Sequence, residues 1–590
     1  MKLYSRITGQ WVDIEEDESL PSGLYAVMVG DNLTRLVDDG SGRYQQAANS
    51  ISFEQDLRGQ SDKGKQNDGE ALTIVFDAIE HIVDKFKDKG SNEFSHLLPP
   101  EVSQFIKPTG LDQAIEKGFE QGVFQTINQR PRMSMRYDVE LMATSRVKRY
   151  ASNYQAHLVA HSECWQQRTF TGIIPKKLKG QVSEDEITIY ENIVYARLIE
   201  HLLRHIAANQ ARIQKILDVI KEFGALNTVD NVHQYVTQIT NDWGRAFGNT
   251  NIDELEQQSY DQIDFLNELK SKLIQMKNGS LYRAIPQKLQ VAISLKSTNI
   301  LMHDEHYQRL ATIWRTWSKE SANKRLNPSQ LRSMKEQRQI NYTDYVASII
   351  KQTFSDSRWK TNSDMTSLTL MNHLILNVEN KEQGVWVIKN DNETLLRLVA
   401  NSEPLEQGDT SILESTKTCV VVPQIKMSQT PNNVFELSPL NLHGKESLAR
   451  YITAQIWQWL LDVYMQPLPD KLPTLINNEL VSNNNIYNPL TVQQLDVMNK
   501  QANSTIVKTI KLKSNVAQFV RHCPYCGHGT TKHSFKNDAN GYFKGQCSDK
   551  SCDSVWTHDP NKSSYFKLND ESDNNGRYAF SLSRNREVSA

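Results

Sequence analysis

Four cysteines near the C-terminus have the spacing of a metal centre. Cys523 and Cys526 sit in Cys523-Pro524-Tyr525-Cys526-Gly527; after 20 intervening residues come Cys547 and Cys552, with four residues between them. A turn that carries two cysteines can aim both sulfurs at one ion, and Gly527 gives the backbone freedom to close it. Zn²⁺ favours a tetrahedron of thiolates, and four protein ligands leave no position for a catalytic water. Cys523, Cys526, Cys547 and Cys552 are therefore the expected ligands of a structural Zn²⁺ in a zinc ribbon. His522, His528 and His533 lie close enough in sequence to compete for the fourth place. The remaining cysteines, Cys164 and Cys419, stand alone, a usage that suits a reducing compartment and makes the cytoplasm the expected location.

The same region is basic. Between Lys500 and Lys550 nine Lys and Arg face two Asp, a surplus of seven positive charges that a Zn(Cys)₄ centre lowers to five. Tyr525, Phe535, Tyr542, Phe543 and Trp556 are interleaved with them. Cations with ring faces suit phosphate contact and base stacking, so Lys511, Lys513, Arg521, Lys532 and Lys544 are candidate DNA contacts. The alternative is that the aromatics cover the metal site and the lysines form a solvated face, leaving the ribbon to dock protein. The whole chain carries a formal charge of −2, so any nucleic-acid surface must be local.

Other chemistry is sparser. No Gly-x-x-x-x-Gly-Lys-Ser/Thr loop occurs, and Gly444-Lys445-Glu446 lacks both the hydroxyl and the earlier glycine. There is no Gly-x-Ser-x-Gly elbow and no His-Glu-x-x-His. His303 and His306 lack a third ligand, and Arg197 with His201 reads as a surface pair. A restriction-type nuclease needs an Asp on one strand and Glu-x-Lys on the next, the acids holding Mg²⁺. Glu379-Asn380-Lys381 has the spacing, with Asp364 upstream. Asp391, Glu393 and Glu436 lack the following Lys. An inactive nuclease-like domain is expected, with a Mg²⁺-dependent nuclease as the alternative.

These residues need a scaffold, and 590 residues require several cores. The fold class is multidomain, mainly α with α/β parts. Residues 1–130 read as a β-rich, mixed N-terminal domain with a helix from Glu70 to Lys89. Residues 131–340 read as a helical domain. In it Tyr137–His161 is expected to be a helix, and an arm spans 183–277, opening on a capping box at Ser183-Glu184-Asp185-Glu186. Residues 341–465 read as an α/β domain, 466–510 as a linker, and 511–590 as the ribbon and tail. No apolar run reaches the roughly 18 residues that span a bilayer, and the first residues lack the apolar core of a signal peptide.

Three segments carry a family likeness: Met133-Ser-Met-Arg136-Tyr-Asp138-Val-Glu140, Tyr190-Glu191-Asn192 with Arg197-Leu198, and Phe435-Glu-Leu-Ser438-Pro439-Leu440. Together they resemble the uncharacterised domain family of McrC-like subunits of bacterial restriction and anti-phage defence systems, over about residues 130–465. The resemblance implies a β-rich N-terminal part, a helical stalk and a restriction-type nuclease fold, here without a clear catalytic set. It implies a DNA-binding adaptor that works with a partner NTPase or helicase. A nuclease and a purely protein-docking scaffold remain the alternatives.

Overall fold

A computed structural model describes residues 2–14, 20–29, 32–37, 44–45, 52–53, 57–58, 68–89, 96–97, 106–226, 252–322, 328–354, 359–362, 364–370, 374–391, 393–406, 417–427, 430–465, 474, 490–500, 504–523, 528–530, 534–537, 542–549, 555–558 and 565–567. The chain forms two compact units of mixed α and β structure. One comprises residues 1–102, 218–252 and 327–590, the other 103–217 and 253–326. This division runs differently from the expected domain boundaries: the N-terminal hundred residues belong with the C-terminal half.

The first unit begins with an antiparallel sheet of Lys2–Ser5 (β1), Trp11–Asp13 (β2), Tyr25–Val29 (β3) and Asn32–Arg35 (β4), in the order β2-β1-β3-β4. The helix Asp68–Lys89 (α1) follows and buries Val75, Phe76, Ile79, Ile82 and Val83 on one stripe, as its periodicity predicts.

The second unit is built on Gly110–Glu120 (α2), Val123–Gln129 (α3) and a projecting pair of strands, Ser134–Ala143 (β5) and Lys177–Glu186 (β8). Between these strands lie a short helix at Tyr154–Ala160 and the hairpin of Trp165–Thr169 (β6) and Gly172–Pro175 (β7). Tyr190–Leu226 (α4), Ile252–Lys277 (α5) and Glu305–Ala322 (α6) complete the helical part. Two expectations fail here. The span expected as a helix from Tyr137 holds a strand, because Met135, Tyr137, Val139 and Leu141 alternate with polar residues at period two. The Ser183–Glu186 box is the end of β8, in ten-residue antiparallel register with β5, and the helix starts only at Tyr190.

We call residues 133–186 the finger. Asn192 fixes its base. This fully buried amide donates from Nδ2 to the carbonyl of Arg132, where the finger leaves, and to that of Ile187, where it returns, both at 2.8 Å. Its Oδ1 accepts from the Tyr307 hydroxyl at 2.6 Å, and Tyr307 in turn accepts from the Arg132 amide. All the polar atoms of this buried side chain are thereby satisfied. The Tyr190 hydroxyl accepts from the Lys296 amide, and Arg197 pairs with Glu200 at 2.6 Å. The Tyr-Glu-Asn motif is thus scaffold in this chain.

The first unit resumes with Pro328–Thr353 (α7) and a seven-stranded sheet, Trp359–Thr361 (β9), Ser367–Leu370 (β10), Leu374–Glu382 (β11), Val385–Asn390 (β12), Glu393–Ala400 (β13), Thr418–Val422 (β14) and Val434–Glu436 (β15). The strands follow sequence order. The pairs up to β12–β13 are antiparallel; β13–β14 and β14–β15 are parallel. Both faces are covered. Trp386, Ile388, Leu396, Leu398 and Val421 join the core that holds α1 and α7, whereas Val385, Val387, Val399, Val420 and Val422 join the N-terminal sheet. Double burial explains the near-continuous apolar runs of β12 and β14. Gly444–Met465 (α8) packs on the first face. The stretch expected as a linker holds two helices, Val492–Asn499 (α9) and Ser504–Val520 (α10), and α10 runs across the expected boundary at 511.

A buried charge set joins the two sheets of this unit. Arg6, 1 % exposed, donates to the carbonyls of Gly23 and Gln383 at 2.7 Å and lies 3.5 Å from Glu382. Arg397 donates to the Arg6 carbonyl at 2.6 Å and lies 3.9 Å from the same carboxylate. Burial pushes the Arg6 pKa down, and Glu382 opposes that shift. Gly9, at φ +73°, is required here, since a Cβ would strike the Arg397 guanidinium. Removing one partner of a buried pair strands the other charge. Glu382→Ala is expected to cost about 3–5 kcal/mol of the stability of the first unit. Chemical denaturation of parent and variant checks this, and Glu382→Gln, which retains an acceptor, should cost less.

Candidate metal centre and nucleic-acid interface

The C-terminal ribbon is a four-stranded antiparallel sheet, Phe535–Asn537 (β16), Phe543–Gln546 (β17), Val555–His558 (β18) and Tyr565–Lys567 (β19), in sequence order. Cys523 follows His522, which forms an antiparallel bridge with Gly529. The Cys523 amide donates to the His528 carbonyl at 2.8 Å, and the Thr530 amide donates to the Arg521 carbonyl at 2.9 Å. Cys547 directly follows β17 and opens the connection to β18, whose flanking register pair is Gln546↔Val555. Cys523 and Cys547 therefore each stand at the end of a described, hydrogen-bonded segment.

The residues just after Cys547 meet those at 528–529. The Ser548 hydroxyl donates to the Gly529 carbonyl at 2.6 Å, and the His528 imidazole lies 3.9 Å from Asp549. The Asp549 amide donates to the Cys547 sulfur at 3.4 Å, an arrangement that stabilises a thiolate. Cys523 and Cys547 are both buried. Two of the four expected thiolates, Cys523 and Cys547, thus lie on segments that these contacts join. Cys526 and Cys552, the other two expected ligands, lie outside the described residues, as does His533. Among the described residues no group of three or more His, Cys, Asp and Glu side chains is placed to hold a metal ion. His522 is engaged elsewhere, its Nδ1 lying 2.9 Å from the Gln518 carbonyl.

Phe543 and Trp556 of the ribbon face inward, and Phe535 is half-buried against them. Trp556 is 2 % exposed and donates from Nε1 to the Val520 carbonyl at 2.9 Å. Phe543 stacks on Phe535 with centroids 5.7 Å apart and meets Tyr464 edge-on at 5.6 Å. Phe535 and Phe543 thus join the sheet to the core that includes α8 and α10. They are not free for base stacking.

The candidate cations divide. Lys511 is exposed on α10 and Lys544 is exposed on β17. Lys513 is a correction: it is 3 % exposed because it shares the helix stripe of Ile510, Ser514 and Ala517, and burial lowers its pKa to about 8. Arg521 is half-buried over the Phe535 ring at 5.2 Å, and desolvation lowers its pKa as well. Lys532 lies outside the described residues. Lys536, counted in the basic stretch but not singled out as a contact, is exposed and directly opposite Lys544 across the β16–β17 pair. Like charges facing each other on a strand pair repel, so an anion placed between them is stabilising. The alternation Phe543-Lys544-Gly545-Gln546 marks that face in the sequence.

The acids considered for a nuclease are dispersed among other partners. Glu379 on β11 bonds Lys389 at 2.7 Å and Lys381 at 2.8 Å, and its pKa is lowered by Lys381 and then Lys389. Asp391 sits in the β12–β13 turn at φ +49°. Glu393 accepts from the Trp459 indole at 3.2 Å, and Glu436 accepts from the Ile425 amide at 3.0 Å. Asp364 lies in the turn before β10. Asp304, between His303 and His306, bonds Arg132 and the amides that start α6. His201 stacks on Trp317 at 3.9 Å, while Arg197 pairs with Glu200.

Compared with known proteins, this chain matches no family model, no curated protein and no solved structure. Among the described residues no helix is long and apolar enough to cross a membrane.

The ribbon geometry makes a metal measurement decisive. Purified protein is expected to contain about one Zn²⁺ per chain by elemental mass spectrometry, with thiolate ligation that couples metal to local folding. Cys523→Ser should release the metal and raise amide hydrogen exchange in β16–β18, leaving exchange in the second unit unchanged.

Proposed function

We propose that this chain is a DNA-binding adaptor subunit of a bacterial anti-phage defence or restriction complex, working beside a partner NTPase or helicase. The observation that carries the DNA-binding part is the Lys536–Lys544 pair. Two exposed ammonium groups face each other on a strand pair whose second strand leads directly into Cys547. Such a face is relieved by phosphate, and Lys511 on the helix that packs beneath the ribbon adds a third exposed cation. Because the rings point inward, the ribbon would contact the backbone of DNA and would tolerate any sequence. The defence setting and the NTPase partner rest on the likeness of residues 130–465 to McrC-like subunits. A Zn²⁺ closed by four thiolates would be structural, fixing the turns that carry this face.

Fluorescence anisotropy tests the reading. Lys511→Glu, Lys536→Glu and Lys544→Glu together are expected to weaken duplex DNA binding at low salt by at least about tenfold and to flatten its salt dependence. Unchanged binding by the folded triple variant would make the ribbon a protein-docking module.

Catalysis is tested separately. The acids of the α/β region are tied to lysines, an indole and backbone amides, which supports a non-catalytic role. The purified chain is expected to leave DNA uncut with Mg²⁺ or Mn²⁺. Cleavage that vanishes in Glu379→Ala would turn the adaptor into an enzyme.

A further inference from the structure

The finger of the second unit carries a surface that the ribbon reading does not use. None of the finger strands contributes to the buried helical core of that unit, and along β5 every side chain is exposed or half-buried. Nine of the 19 large exposed hydrophobic residues among the described residues fall within 133–174. Phe170, at the β6–β7 turn, is fully exposed, and Tyr150 is 55 % exposed and stacked on Tyr154 at 4.8 Å. Exposed rings at this density mark a contact surface.

The charge is equally uneven. The outer finger, residues 139–180, has seven Lys and Arg against Glu140 and Glu163, a surplus of five positive charges in a chain whose net charge is −2. The fold gathers four of them. The turn Thr144–Arg146 is tied to the opposite strand by Thr144, whose amide donates to the Lys176 carbonyl at 3.3 Å and whose hydroxyl donates to the Pro175 carbonyl at 2.8 Å. Arg146, Lys148, Lys176 and Lys177 therefore emerge at one end of the β5–β8 pair. All four are exposed, and none has an ion-pair partner among the described residues.

Clustered cations on a finger that also exposes rings match a ligand that offers phosphates and flat bases at regular intervals. A duplex hides its base faces and would leave Phe170 and Tyr150 in water. We propose that the outer finger binds single-stranded nucleic acid, with phosphates on Arg146, Lys148, Lys176 and Lys177 and bases against Tyr150 and Phe170. The site is separate from the zinc ribbon and stands whether or not the ribbon touches DNA.

The full chain is titrated against labelled oligothymidine, oligouridine and a mixed-sequence duplex. Replacing Arg146, Lys148, Lys176 and Lys177 by Gln is expected to weaken single-strand binding by at least about tenfold and to reduce the salt slope by about 0.7 per lost phosphate contact. Phe170→Ala with Tyr150→Ala is expected to weaken it about fivefold or more at an unchanged salt slope. The two homopolymers tell DNA from RNA, and a preference for either supports the site. Full single-strand affinity in the folded fourfold variant overturns the proposal, as does a loss confined to the duplex. If that variant does not fold, the ring variant decides, since both rings lie on the surface. Loss of binding only in the Lys511, Lys536 and Lys544 variant sinks the finger site and leaves the ribbon reading standing; loss only in the finger variants does the reverse.

Discussion

The first unit depends on a buried carboxylate shared by two arginines. Glu382 ends one strand of the central sheet, and Arg6 and Arg397 approach it from the N-terminal sheet and from β13. Charges so far from water are tolerable only when paired, and the two guanidinium groups are held further by the carbonyls of Arg6, Gly23 and Gln383. Apolar contact alone would let two flat sheets slide over each other. The guanidinium hydrogen bonds are directional and fix one placement. With the second face of the sheet covered in this way, β12 and β14 can be apolar on both sides. The helices α1, α7 and α8 are then left to cover the first face.

The same core extends to the ribbon. Phe543, Trp556, Cys523 and Cys547 belong to the apolar cluster that includes α8, α10 and the central sheet. The C-terminal sheet is thus a continuation of the main core, and Phe543 and Trp556 serve packing, while Lys536 and Lys544 stay on its outer face.

Parts of this architecture are legible in the sequence. Val75, Ile79, Ile82 and Val83 announce α1. The runs in β12 and β14 read as strands. The finger is misread because its alternation is short and its apolar residues face solvent, so no burial signal distinguishes strand from helix. Ser183-Glu184-Asp185-Glu186 satisfies a helix-start pattern, yet ten cross-strand pairs with β5 override it. Lys513 looks like any other lysine of a basic stretch; only the helical phase of Ile510 and Ala517 turns it inward. The Arg6–Glu382 contact spans most of the chain and leaves no local trace.

Asn192 gives the finger a particular standing within its unit. One amide nitrogen binds the carbonyls at both ends of the excursion, each at 2.8 Å, so those two oxygens cannot be farther apart than twice that distance. To the helical body, everything from 133 to 186 is a loop whose ends already meet. Insertions are tolerated best at such closures. The body can therefore keep its Tyr-Glu-Asn helix start and its Tyr307 partner while the finger changes length and sequence. Divergence of recognition would leave the frame that presents it intact.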